Sequence, residues 1–209
     1  NRKKIICNSG YFQNYKHKLN ELSKSTATHS TLIIDNNSSC KLRKIGNKSS
    51  VIEKGLKILN KSSVFEKNYW NIMASHNGYL KKYGIIHERK IEFFPEHNKF
   101  IGTDTLIKKK NYKSINFEIR FHLQPSSKIM KTQDNKSIFI EVNNEGWKFT
   151  CDNHEISLET ESCKPVITNV PFASLHNLFA TNNALKPEES QYLEFDKSII
   201  IFFSPPLPI

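Results

Sequence analysis

Between Ile115 and Gln124 apolar and polar residues alternate without a break. Ile115, Phe117, Ile119, Phe121 and Leu123 fall on one side; Asn116, Glu118, Arg120, His122 and Gln124 fall on the other. Successive side chains of a strand point to opposite faces, so this is the signature of a strand with one face buried. A helix would scatter the same residues around its circumference. The pattern predicts a strand that Pro125 ends and places His122 with Arg120 and Glu118 on a wet face.

The same period recurs. A long strand is expected over Tyr83–Phe94, with Lys82, Glu88, Lys90 and Glu92 on its wet face, and another carries Trp70, Ile72 and Ala74. Shorter strands are expected at 4–8, 30–35, 100–107, 136–142, 146–151 and 155–159. Turn residues separate them, at Asn8-Ser9-Gly10, Asp35-Asn36-Asn37, Asn77-Gly78 and Asn143-Asn144-Glu145-Gly146. Such spacing without long helices predicts an all-β antiparallel β-sandwich with long loops and an irregular C-terminal tail. Residues 11–24 are expected to hold a short helix or loop, and 41–64, rich in Lys and Ser, a long surface loop. From about residue 161 alternation is lost. The domain reading is therefore a sandwich over 1–160 and a divergent segment over 161–209 that completes a sandwich edge or trails as a tail.

Net charge is +11, with 31 basic against 20 acidic residues. That invites a polyanion partner. Only four of the 31 are Arg, the Lys residues are scattered in sequence, and no basic-aromatic cluster of the nucleic-acid-binding kind is present, so nucleic acid is not expected. Membrane insertion is not expected either: the longest apolar run, Ile199–Phe203, is far below the ~18 residues of a spanning helix. Cys7, Cys40, Cys151 and Cys163 show no metal-binding spacing and are expected unpaired. No phosphate loop, nucleophile elbow or H-E-x-x-H motif occurs. Trp70 and Trp147 read as core residues and His87 as a buried or stacked one. The opening Asn-Arg-Lys-Lys-Ile-Ile reads as a strand entered from a turn, with further chain expected before it.

Several segments carry a resemblance. They are Ile5-Ile6-Cys7-Asn8-Ser9-Gly10, Ala27-Thr28-His29-Ser30-Thr31-Leu32-Ile33-Ile34-Asp35, and Ala74-Ser75-His76-Asn77-Gly78-Tyr79 followed by Gly84 and His87-Glu88-Arg89. Gly102-Thr103-Asp104, Ile119-Arg120-Phe121-His122-Leu123 and Gly146-Trp147-Lys148-Phe149 complete the ordered set. Together they resemble the C-terminal domain of heparinase II/III-like polysaccharide lyases, from residue 1 to about 160, which implies a supersandwich-like form of the sandwich.

The resemblance implies an enzyme of the periplasm or cell envelope with an upstream α/α-barrel, acting on an acidic polysaccharide by β-elimination. The catalytic Tyr and His would lie mostly on the barrel, so no catalytic residue is assigned here and the chain alone is expected inactive. His76, Tyr79, Arg120 and His122 are the candidate substrate contacts. His29 and Asn8 occupy the positions of family zinc ligands; Asn8 is a neutral amide and a poor one. Zinc is therefore an expectation for the intact enzyme and not for this chain alone. The alternative is a non-catalytic carbohydrate-binding or cell-envelope structural sandwich, and a truncated gene product is a third reading.

Overall fold

The computed structural model describes residues 5–8, 19–43, 51–54, 56–110, 115–124, 127–142, 145–151, 156–161, 175–182 and 201–204. The Ser9-Gly10 and Asn143-Asn144 turns, Pro125, Cys163 and the closing prolines lie outside them.

The alternating segment is the central strand of the first sheet, β9 (Phe117–Leu123). Phe117, Ile119, Phe121 and Leu123 are buried together, as alternation requires. One edge of β9 carries two short strands end to end: β1 (Ile6–Cys7) pairs at Leu123 and His122, and β2 (Leu32–Ile34) pairs at Ile119 to Phe117. The other edge pairs with β14 (Leu175–Asn182), which pairs in turn with β13 (Ile156–Glu161). A second sheet runs β10 (Lys128–Lys131), β11 (Ser137–Val142), β12 (Glu145–Cys151), β15 (Ile201–Ser204). The core gathers residues from both sheets: Ile119 and Ile156 with Ile138, Ile140, Val142 and Phe149, and the Phe121 and Phe149 rings meet edge-on at 5.3 Å. All described pairings are antiparallel. The expected sandwich is what the chain forms.

A third sheet, β5 (Ile58–Phe65), β6 (Trp70–His76), β7 (Ile85–Phe94), β8 (Lys99–Lys108), is a meander. Leu19–Leu22 form a short helix, α1, and strand β7 starts two residues later than the alternation predicts, because Leu80–Tyr83 form one helical turn, α2, that Gly84 ends. Gly84 has φ 67°, a left-handed conformation that costs glycine nothing, and its N–H returns to the Leu80 carbonyl. Lys82 therefore sits on α2 and not on the strand's wet face. The Asp35-Asn36 turn likewise takes positive φ at both residues (46° and 55°), and the Asn37 N–H closes it on Ile34 at 2.8 Å.

Three expectations are corrected. The 41–64 segment is not a loop: it holds β3 (Lys41–Arg43) paired with β4 (Val51–Lys54), then β5. Every residue of β5 is exposed, so its sequence carries no inward-facing period. Trp70 is not core but 45% exposed, the second ring in a row of four across the meander, Phe65–Trp70–Phe93–Phe100. Beyond residue 161, where the sequence leaves a sandwich edge and a tail both open, β14 pairs inside the first sheet and β15 on the edge of the second. Finally, His122 is not on a wet face. It is 4% exposed, beneath a 3-10 turn at Thr26–Thr28. Cys7, Cys40 and Cys151 carry thiols and form no disulfide.

Candidate functional site

The junction of β1 and β2 on the shared edge of β9 leaves a break in the hydrogen-bond ladder, and Ser30 fills it. Its hydroxyl accepts the His122 backbone N–H at 2.9 Å and donates to the Cys7 carbonyl at 2.6 Å. Its own N–H donates to Asn8 Oδ1 at 3.2 Å, and its carbonyl accepts Arg89 Nη1 at 2.6 Å. One small polar residue thus ties β1, β9 and β7 together. The 3-10 turn before it also reaches the junction, because His122 Nε2 lies 3.1 Å from the Ala27 carbonyl. A carbonyl only accepts, so His122 carries a proton on Nε2.

A second group of polar side chains lies on the face that β6, β7 and β8 share. His76 pairs across from His87, and Arg89 pairs across from Asp104. The Gly78 N–H donates to His76 Nδ1 at 3.1 Å. His76 must then hold its proton on Nε2 and donate it to His87 Nδ1, 3.1 Å away; His87 in turn donates from Nε2 to Asp104 Oδ1 at 2.6 Å. One backbone N–H therefore sets both tautomers. Arg89 grips the same carboxylate with two donors, Nε to Oδ1 and Nη2 to Oδ2, each at 2.7 Å. Arg89 also lies over the Phe121 ring, 5.9 Å from its centroid.

The electrostatics follow from burial and pairing. Burial by itself would raise the Asp104 carboxyl, but the Arg89 guanidinium and the His87 hydrogen bond outweigh it and hold the group well below the usual carboxylate range. Burial, with His87 and Arg89 beside it, lowers His76 to about 4. Because Arg89 also binds the Ser30 carbonyl, the imidazole chain and the β1–β2 junction form one connected network from Gly78 to Cys7.

The sequence-derived candidates are distributed over this network and its rim. Tyr79 is 1% exposed; its ring is core and its hydroxyl donates to the Leu32 carbonyl at 3.1 Å, anchoring the His76 loop to β2. Burial pushes its phenol up from the ordinary value. His76 is half-buried with both ring nitrogens engaged. Arg120 stays at the surface, its Nε and Nη2 on Glu118 Oε2 at 3.0 and 2.8 Å and Nη2 also 3.2 Å from Asn36 Oδ1. Asn8 Oδ1 accepts the N–H of Ser30, the residue after His29.

Two donors, one a neutral amide already bonded to Ser30, fall short of the four that a tetrahedral zinc site takes. Among the described residues no group of three or more His, Cys, Asp or Glu side chains is placed to hold a metal. The described residues do not compose a zinc site. Sequence reasoning missed Ser30, Asp104 and Arg89 as a linked set. The spacing of His87 and Arg89 puts both on one strand face, but only the β7–β8 register brings Asp104 to them.

Comparison with known proteins agrees with this architecture. The family model "Heparinase II/III-like, C-terminal" matches residues 1–193, some thirty residues beyond the end of the sequence resemblance. Heparan sulfate lyase HepC from Pedobacter heparinus superposes with a TM-score of 0.67 at 14% identity, over 99% of this chain and 29% of that one. A mutant of the same lyase gives 0.65 at 14% identity with the same coverage. At that identity the likeness is one of fold, and the chain spans under a third of the length of these lyases. Comparison with curated proteins returns no match. With nearly its whole length matched by the family model, the chain belongs to the heparinase II/III-like C-terminal family.

Proposed function

We propose that this chain is the β-sandwich wall of a polysaccharide lyase that breaks uronate-containing polysaccharide by β-elimination. The observation that carries the reading is the family match over residues 1–193, on a fold shared with a heparan sulfate lyase. The name of that neighbour favours a glycosaminoglycan as the polymer, and an extracytoplasmic site of action accords with such a substrate.

The chemistry defines what the wall must supply. A base removes the proton on C5 of the uronate, the electron pair forms the C4–C5 double bond, and the C4–O4 bond breaks as an acid protonates O4. The C5 proton is weakly acidic until the adjacent carboxylate charge is neutralised, so a preorganised cation or donor facing that group lowers the barrier. The base and acid come from an upstream helical domain in this reading. Arg120 is the residue of the sandwich suited to meet an acidic sugar group: its guanidinium is at the surface, and a bound carboxylate or sulfate would share it with Glu118. His122, Tyr79 and His76 support this wall from beneath, by holding the 3-10 turn and the Asn77–Gly78 loop in place.

The test is ultraviolet absorbance of the unsaturated uronate. The intact protein that carries this chain is incubated with a panel of acidic polysaccharides, and at least one should yield absorbing product while the isolated chain yields none. Absence of product across the panel, from a folded intact protein, overturns the reading in favour of a non-catalytic carbohydrate-binding sandwich.

A further inference from the structure

Lysines that are scattered along the sequence are gathered by the meander. Lys81 and Lys82 lie on α2, Lys108 closes β8, and Lys109 and Lys110 follow it. Two contacts bring the groups together: Ile85, just after α2, pairs with Lys108, and the Lys109 N–H donates to the Gly84 carbonyl at 2.7 Å. All five lysines are exposed. Among the described residues none of the five forms an ion pair. Lys82 donates to Asn37 Oδ1 at 2.7 Å and lies 5.1 Å from the Tyr83 ring centroid. Asp35, two residues from Asn37, already has its Oδ1 engaged by the Asn116 N–H.

Like charges held together at a surface repel, and only a multivalent anion relieves several of them at once. Each exposed lysine contact contributes little singly, so a polymer with repeated charges fits this surface better than a small anion. The aromatic ring at the cluster, Tyr83, is 7% exposed and offers no stacking platform for bases. The Asp35–Asn37 turn extends the surface, because Asn36 meets Arg120 on one side and Asn37 meets Lys82 on the other.

We propose that Lys81, Lys82, Lys108, Lys109 and Lys110 form a binding surface for an acidic polysaccharide chain, continued across the Asn36–Asn37 turn to Arg120. The choice of polymer rests on the lyase reading; the location of the surface does not. It gives the sandwich a hold on the chain away from the bond that breaks.

The experiment measures affinity of the intact protein for heparin, a sulfated uronate polymer, over a series of salt concentrations. One variant changes all five lysines to Gln. A charge-matched control changes Lys61, Lys67, Lys131, Lys136 and Lys148, exposed lysines elsewhere, to Gln. The cluster variant should bind about tenfold more weakly with a shallower salt dependence, and the control should change by less than about threefold. Equal weakening in both would show that net charge alone acts and would overturn the proposal. So would single-stranded DNA of matched charge binding at least as tightly as heparin and losing affinity with the cluster. Unaltered melting of both variants shows that they fold. Elimination that persists while heparin binding ignores the cluster would sink this proposal alone; binding that depends on it without any elimination would sink the lyase reading alone.

Discussion

The Ser30 hydroxyl stands 2.9 Å from the backbone nitrogen of His122 and does the work of a strand that is not there. Strands β1 and β2 each cover part of the edge of β9, and at their junction a side chain takes over the ladder. Such substitution of side chain for backbone is what keeps a buried N–H satisfied where a sheet edge changes partner.

Replacing Ser30 by Ala should therefore be costly for so small a change. It leaves the buried His122 N–H without its acceptor and the Cys7 carbonyl without its donor, which amounts to about 1–3 kcal/mol. Denaturant midpoints of the wild type, Ser30→Ala and Ser30→Thr measure it. Thr keeps a hydroxyl and should lose less than Ala; an Ala variant as stable as wild type contradicts the bridging role.

Asp104→Asn should destabilise more strongly. The neutral amide removes the charge that Arg89 and His87 share, leaving the guanidinium facing a 3% exposed site without its counter-ion. Breaking a buried pair in this way costs about 3–5 kcal/mol. Urea unfolding gives the value, and a loss below that for Ser30→Ala would refute the ranking.

The imidazole chain predicts how stability depends on pH. His76 is lowered from 6.5 to about 4 in the fold, so the unfolded chain binds its proton first on acidification. Its contribution is fully present above pH 6.5 and is lost as pH falls from there toward 4. Screening at a half-buried ring holds the amount to about 1–2 kcal/mol. Asp104 is also depressed, from 3.8, so its contribution is lost only below about pH 4. Melting between pH 8 and 4 should thus decline first through the His76 window, and His76→Gln should flatten that part of the curve. A decline of equal slope in the variant contradicts the assignment.

Gly78→Ala should also destabilise, although glycine to alanine is ordinarily mild. A Cβ at residue 78 would press on the carbonyl oxygen of Ser39, which is backbone and cannot swing away. The shift would pull the Gly78 N–H from His76. About 1–3 kcal/mol is expected, as for other overpacked sites, together with an upward move of the His76 titration seen by NMR. A stable variant with unchanged His76 titration would show that the loop accommodates the methyl group.

How much of this was legible in the sequence depended on whether a strand buries one face. Strand β9 does, and its alternation marks the inward face from Phe117 to Leu123, although His122 on the other face is buried as well. Strand β5 buries neither face, so Ile58–Phe65 carried no period and passed for loop. Strand β14 lacks alternation in Leu175-His176-Asn177-Leu178 and owes its place to pairing on both edges, a matter of register. The same holds for the site. The His29-Ser30-Thr31-Leu32 stretch stood out as a motif, and Asn8 was associated with it through the family resemblance. Asp104 lies fifteen residues from Arg89, and nothing short of the β7–β8 register joins them. Trp70 reads as core in the sequence because alternation says which residues share a face and not which face meets water.

Whether the linkage breaks by elimination is read from the fate of solvent oxygen. The intact protein is given its polysaccharide in water enriched in heavy oxygen, and the product ends are weighed by mass spectrometry. Elimination predicts an unsaturated terminal uronate with no solvent oxygen incorporated at the broken linkage. One heavy oxygen per break, with a saturated sugar at the new end, would mean hydrolysis and not elimination.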